Sequence, residues 1–177
     1  MDKIKIIRHI IGYIIGMTVF VILVPYGLIK FSRLFGSFGE AGFLHPDWLR
    51  LTIAAVFLTI GLIFALWSNA ALFIIGRGGP ADGFNVAISP RSEKLVVTGP
   101  YRYTRNPMVF GAYMIYFSVA LYMNSLACLG LLIFFYGLSI IYLKLTEEKR
   151  LYHDFGDDYL DYQKKVSMII PFPRKGY

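Results

Sequence analysis

Residues 107–143 run for 37 positions without one formally charged side chain. As a single helix that run would measure about 55 Å, nearly twice the ~30 Å hydrocarbon thickness of a bilayer. One crossing cannot use it. Met123-Asn124-Ser125, near the middle, supplies turn chemistry that folds the run into two antiparallel spans. Folding it back brings its two flanks together. One flank is Gly99-Pro100-Tyr101-Arg102-Tyr103-Thr104-Arg105-Asn106, and the other is Glu147-Glu148.

Two more uncharged runs precede the hairpin, at residues 10–29 and 51–75. Each is long enough to cross the apolar core. The first is too long for a secretory signal core and no Ala-x-Ala site follows it, so it reads as a retained span. Charged residues make up 16% of the 177, against about 25% in an average soluble domain. The expected fold is an all-α membrane protein in one domain, residues 1–177. It has four transmembrane helices near 10–29, 51–75, 107–123 and 125–143, the last two a tight hairpin, then a C-terminal amphipathic helical segment.

The net charge of +7 sits beside the apolar runs, which points to anionic lipid headgroups and away from nucleic acid. Fifteen lysines and arginines fall in the N-terminal residues, the second connector and the tail, including Arg174 and Lys175; Lys30, Arg33 and Arg50 fall on the other side. Both termini and the long second connector are therefore expected on the cytoplasmic face. Gly36, Gly39 and Gly42 loosen the first connector. Pro46 suits a first helical turn, Trp48 an interfacial anchor and His45 a solvated loop. The 76–91 connector, with Gly76-Arg77-Gly78-Gly79-Pro80, reads as a flexible link, and residues 92–98 as a short extended piece. Trp67, Ser68 and Asn69 interrupt the second span and read as interhelical hydrogen-bonding residues. Lone Cys128 reads as a small buried hydrophobe. Tyr152, Phe155, Tyr159 and Tyr162 recur at helical spacing, predicting one amphipathic face weakened by Gly156.

Where the flanks meet, their chemistry is complementary. Asn106-Pro107 opens a helix whose free amides and dipole favour an anion, with Arg102 and Arg105 adding charged donors. Adjacent glutamates on a helix diverge by about 100°, so one of Glu147 and Glu148 can face a cavity while the other meets a basic neighbour. Singly these residues read as a cap, membrane anchors and a solvated helix end. Together they suit a ligand carrying both a carboxylate and an ammonium. S-adenosylmethionine fits, and methyl transfer from it needs positioning and desolvation without a metal.

Lys94-Leu95-Val96, Gly99, Tyr101, Arg105-Asn106-Pro107-Met108, Gly111, Glu147-Glu148, Phe155-Gly156, Tyr159, Tyr162 and Pro171 resemble, in order and spacing, the C-terminal core of the isoprenylcysteine carboxyl methyltransferase and phospholipid methyltransferase superfamily. The resemblance covers about residues 93–173. It implies an integral membrane methyltransferase using S-adenosylmethionine and a lipophilic acceptor, with Lys94, Leu95, Val96, Tyr101, Asn106, Pro107, Met108, Val109 and Glu147 around the cofactor. Arg105 and Glu148 join that set by their own chemistry. This chain has Asn106 where the family often has histidine, and Val109 where a tyrosine is common. Leu143 stands where isoprenylcysteine enzymes carry a substrate-binding arginine, leaving adjacent Lys144 as the basic candidate on the acceptor side. The acceptor atom stays open among nitrogen, oxygen and sulfur, and no histidine belongs to the bracket, so no catalytic residue is assigned. Sterol-type NADPH-dependent reductases resemble the same motif, giving one alternative; a non-catalytic membrane scaffold is another.

Overall fold

The computed structural model describes residues 3–35, 42–79, 82–83, 86–87 and 89–172. Gly36, Gly39, Pro80, Arg174 and Lys175 lie outside the described residues. Helix α1 spans Lys3–Phe35 and α2 spans Asp47–Gly76. A two-residue antiparallel ladder, β1 (Asp82–Gly83) with β2 (Val86–Ala87), sits in the second connector. Helix α3 is Pro107–Tyr122, α4 is Leu126–Phe155, and α5 is Asp157–Lys165.

Three of these helices, α1, α2 and α4, are long and apolar enough to cross a membrane. Their large apolar side chains point outward, Ile14, Leu66 and Ile133 among them, as they must where lipid replaces water. Helix α3 has 16 residues, about 24 Å, and is shorter than the hydrocarbon core. The spans also run past the expected limits. Helix α1 begins before residue 10 and ends after residue 29, and α4 continues well beyond residue 143. Uncharged runs locate the apolar centre of a helix but say little about how far its polar ends extend.

Pro25 does not end α1. The helix widens to π geometry over Met17–Leu23, and the Val24 amide bonds the Val19 carbonyl. In that pattern Phe20 would look to residue 25 for a donor, and proline has none. The Tyr116 hydroxyl of α3 donates to the Phe20 carbonyl instead, at 2.9 Å. An unpaired carbonyl has no water to turn to at this depth.

Helices α2 and α3 make the closest pairing. A side-chain carbon on Gly61 would lie 2.8 Å from the Gly111 carbonyl oxygen, and one on Gly111 would lie 2.8 Å from the Ala65 nitrogen. Only glycine permits this approach. The other core joins α1, α3 and α4 through Leu28, Tyr113, Tyr116, Ala120, Cys128 and Leu132. Cys128 is fully buried, as expected, and its thiol also donates to the Leu28 carbonyl at 3.3 Å.

The α3–α4 turn falls at Met123 and Asn124, the latter at φ +53°, and the Ser125 hydroxyl caps α4 by accepting the Cys128 amide at 3.2 Å. At this end of the bundle Asn124 also accepts the Leu44 amide, and Arg50 donates to the Tyr122 carbonyl at 3.0 Å. The opposite end gathers the start of α1, the second connector and the C-terminal segment. The polar groups thus divide between two ends.

Several local expectations are corrected. Pro46 precedes α2 as its extended N-terminal boundary residue, and Asp47 takes the first helical position. Ser68 and Asn69 do not bond between helices: both donate to the Ala65 carbonyl of their own helix, at 3.0 and 2.8 Å. Residues 92–98 form no strand. Gly156, at φ +56° and ψ −133°, separates α4 from α5 outright, so the four aromatics do not share one face. Tyr159 and Tyr162 are buried against Val166, Leu95, Leu151 and Phe155, while Tyr152 is exposed.

Candidate active site

The polar end is built around one carbonyl. Met168 accepts hydrogen bonds from the Thr104 hydroxyl (3.0 Å), the Asn106 amide nitrogen of the main chain (3.1 Å) and the Asn106 side-chain amide (3.0 Å). Residues 104 and 167 also pair in parallel, with the Arg105 amide donating to Ser167 at 2.9 Å. The segment after α5 therefore clasps the entry to α3. This corrects the role expected of Asn106. It occupies the boundary position of α3, but its side chain makes no capping bond and turns to Met168.

That diversion matters for the helix start. Pro107 holds the first position, and Phe110 bonds back to the Asn106 carbonyl at 3.1 Å. The Met108 and Val109 amides lie in the turn where a helix has no internal acceptors. The Asn106 side chain does not cap them. The Val109 side chain itself packs into the α1–α3–α4 core, so only its backbone can serve a ligand.

Arg105 was expected to present charge to an anion. It is instead 8% exposed and paired with Glu148, which is 11% exposed. The guanidinium also donates to the Gln163 carbonyl at 2.8 Å, and the Gln163 side chain donates to the other Glu148 oxygen at 3.0 Å. This network joins the α3 entry, α4 and α5, with the buried Arg105 Nε left without a partner. Tyr159, 1% exposed, faces Glu148 across a gap too loose for a well-formed hydrogen bond from its hydroxyl. Burial, and next the Glu148 carboxylate, hold that phenol well above its ordinary range.

The two glutamates do diverge. They sit where α4 widens into π geometry, Leu143–Glu147, inside a continuing helix and not at its end. Glu148 serves the buried pair, and Glu147 acts on Tyr101. Tyr101 belongs to a single tight turn, Gly99–Arg102, that packs against α2. Its phenol is held well above its usual value by burial first, then by the Glu147 carboxylate and by the Tyr13 hydroxyl of α1. Its carbonyl accepts the Tyr162 hydroxyl at 2.6 Å. Trp67 lies 3.3 Å from the space a Gly99 side chain would take, and its ring stands 6.2 Å from that of Tyr103. It walls the turn, with Phe64 and Phe110 stacked edge-on behind it at 4.8 Å.

The structure thus brings Tyr101, Glu147 and the start of α3 to one end, and commits Arg105, Asn106 and Glu148 to the scaffold behind them. Val96 is buried, and Leu95 packs on the Tyr159 cluster. Lys94 and Lys144 are exposed, and Leu143 is buried. Sequence reasoning missed Tyr13, Gln163 and Met168. Tyr13 hides in an apolar run, and the other two act through contacts about 60 residues distant in sequence that no local pattern announces.

No solved structure matches this chain. A curated relative, methanethiol S-methyltransferase of Mycobacterium tuberculosis, is 34% identical over 77 residues, covering 42% of this chain and 30% of the relative. The chain therefore spans under a third of that relative's length in the matched region. The phospholipid methyltransferase family matches residues 49–158, which contain α2 apart from Asp47 and Trp48, all of α3, and the site residues from Lys94 to Glu148. With well over half of its length matched, and with the helix pairing and paired glutamates at the places described, the chain belongs to the phospholipid methyltransferase family.

Proposed function

We propose that this protein transfers a methyl group from S-adenosylmethionine to a small, membrane-soluble acceptor at the polar end of the bundle. The observation that carries the reading is half-buried Tyr101, whose phenol the Glu147 carboxylate helps to hold high, together with an α3 start that the Asn106 side chain leaves uncapped. The residues fit the cofactor: the Met108 and Val109 amides suit its carboxylate, and Glu147 suits its ammonium. When bound, S-adenosylmethionine supplies a methyl group carried on a sulfonium. Trp67, Tyr103 and Phe110 would exclude water from that charge, and the Arg105–Glu148 pair would hold the α3 start in place. In this reading Lys94, Leu95 and Val96 form the connector side of the cofactor site, and Lys144 meets the acceptor from the lipid side.

Leu143 is buried where isoprenylcysteine enzymes place an arginine, which favours a neutral acceptor over a carboxylate. The name of the mycobacterial relative makes a thiol the first acceptor to test. The family match favours methyl transfer over sterol-type reduction. We further propose that α3 crosses with α4 as a short hairpin, with the site on the cytoplasmic face.

The test is calorimetric titration of detergent-purified protein with S-adenosylmethionine and S-adenosylhomocysteine, followed by labelled-methyl transfer to a thiol, an amine and a total lipid extract. Saturable binding of both cofactor forms and label in one acceptor class support the reading. No heat and no label would end it.

A further inference from the structure

Residues 92–99 run down the side of α2. A side-chain carbon on Gly76 would meet Ser92 and Val96, and one on Gly99 would meet Trp67 and Ala71. Phe110, in the first turn of α3, packs its ring on Phe64 at 4.8 Å. The entry to α3 is thus level with Phe64 and Trp67, while α2 continues to Gly76, about 13 Å further along its axis. That continuation carries no charge before Arg77, and Phe73, Ile74 and Ile75 are exposed on it. On a spanning helix such side chains face acyl chains. The α3 entry is recessed from the end of α2.

The clasp after α5 reaches the same level. The Ser167 hydroxyl lies 3.2 Å from the Tyr103 carbonyl, and the Tyr103 ring stands beside Trp67. Irregular backbone survives at such a level only when its polar groups are paired. Here Ser167 accepts the Arg105 amide, Met168 accepts from Thr104 and Asn106, and the Ile170 carbonyl accepts the Ser167 hydroxyl. Ile169 is buried at 2% exposure, whereas Ile170 and Phe172 are 50% and 62% exposed.

We infer that Ile170 and Phe172 insert into the acyl layer of the bilayer, so that lipid itself holds the clasp closed on the start of α3. Lipid is the occupant because Trp67 and Tyr103, both partly exposed, join this patch to the outward apolar face of α2. Their rings suit the boundary between acyl chains and headgroups. Lifting the pair into water would expose apolar surface and pull the Met168 carbonyl from Thr104 and Asn106. This lipid seat goes beyond the methyltransferase reading and does not depend on it.

The experiment uses full-length protein in nanodiscs of phosphatidylcholine and phosphatidylglycerol. Nitroxide labels are placed one at a time through Ile170→Cys, Phe172→Cys and, at an exposed position far along α4, His153→Cys. Cys128 is fully buried and stays unlabelled. Labels at 170 and 172 should collide more with oxygen, which partitions into lipid, than with a water-soluble nickel chelate. The label at 153 should do the reverse. A double variant, Ile170→Ser with Phe172→Ser, should speed hydrogen exchange at the Arg105 and Asn106 amides at least about tenfold. Amides beyond Phe110 in α3 should keep wild-type rates, and S-adenosylhomocysteine affinity should fall several-fold. Nickel-accessible labels at both positions would overturn the lipid seat. So would labels shielded from both reagents, since a protein partner would then cover them. Wild-type exchange at Arg105 and Asn106 in the double variant would overturn the closing role. Wild-type protein that binds no S-adenosylhomocysteine would overturn the methyltransferase reading alone, and the labels and exchange rates would still decide the lipid seat.

Discussion

Glu147 and Glu148 are neighbours in sequence with separate duties, and two measurements should separate them. Glu148→Gln leaves the Arg105 guanidinium, 8% exposed, without its counter-charge. A broken buried pair costs roughly 3 kcal/mol or more, so thermal unfolding in detergent should show a large loss of stability. Glu147→Gln should weaken S-adenosylmethionine binding at least about tenfold by calorimetry, the value of one lost charged contact. Arg33→Ala, at the far end of α1, should change neither. Tyr159 gives a test in pH. Its phenol and that of Tyr101 are raised by burial, so the folded state keeps two protons that the unfolded chain loses near pH 10. Stability should be flat with respect to these groups below about pH 9 and fall as pH rises past 10. Tyr159→Phe removes one of the two raised phenols, so it should soften the alkaline decline.

At the level of elements, α3 is the short member that everything else is fitted to. Its first turn faces the site, its middle touches α2 through Gly111, and Tyr116 repairs the carbonyl that Pro25 leaves unpaired in α1. Gly111→Ala would push a carbon against the backbone of Gly61 and Ala65, where no rotamer change relieves it. A destabilisation of about 1–3 kcal/mol is expected, read as a lowered unfolding midpoint. Tyr116→Phe should cost about 1–2 kcal/mol by the same measurement, because the Phe20 carbonyl loses its donor away from water.

For the molecule as a whole, both ends are tied by contacts between distant segments. Leu44 meets Asn124 at one, and Lys5 meets Glu93 at the other. If all four helices cross, His45→Cys and Lys94→Cys should react with a membrane-impermeant maleimide from opposite sides of sealed vesicles. Cys128, fully buried, should stay silent in both. Reaction from one side only would reject the four-crossing arrangement.

The uncharged run 107–143, the turn at Asn124 and the charge asymmetry were legible in the chain itself, because bilayer thickness and turn conformation act on local residues. So was the divergence of Glu147 and Glu148, which follows from helical geometry alone. The tertiary structure decided which glutamate does what. Asn106 and Arg105 look like ligand-facing groups in sequence, and they became scaffold because Met168 and Gln163 arrive from the clasp after α5. Tyr13 and His9 look like interruptions of an apolar helix, and they became part of a polar interior only once α1 leaned on the second connector. Hydrogen bonds over such separations depend on where whole helices come to rest, and no window of sequence contains that.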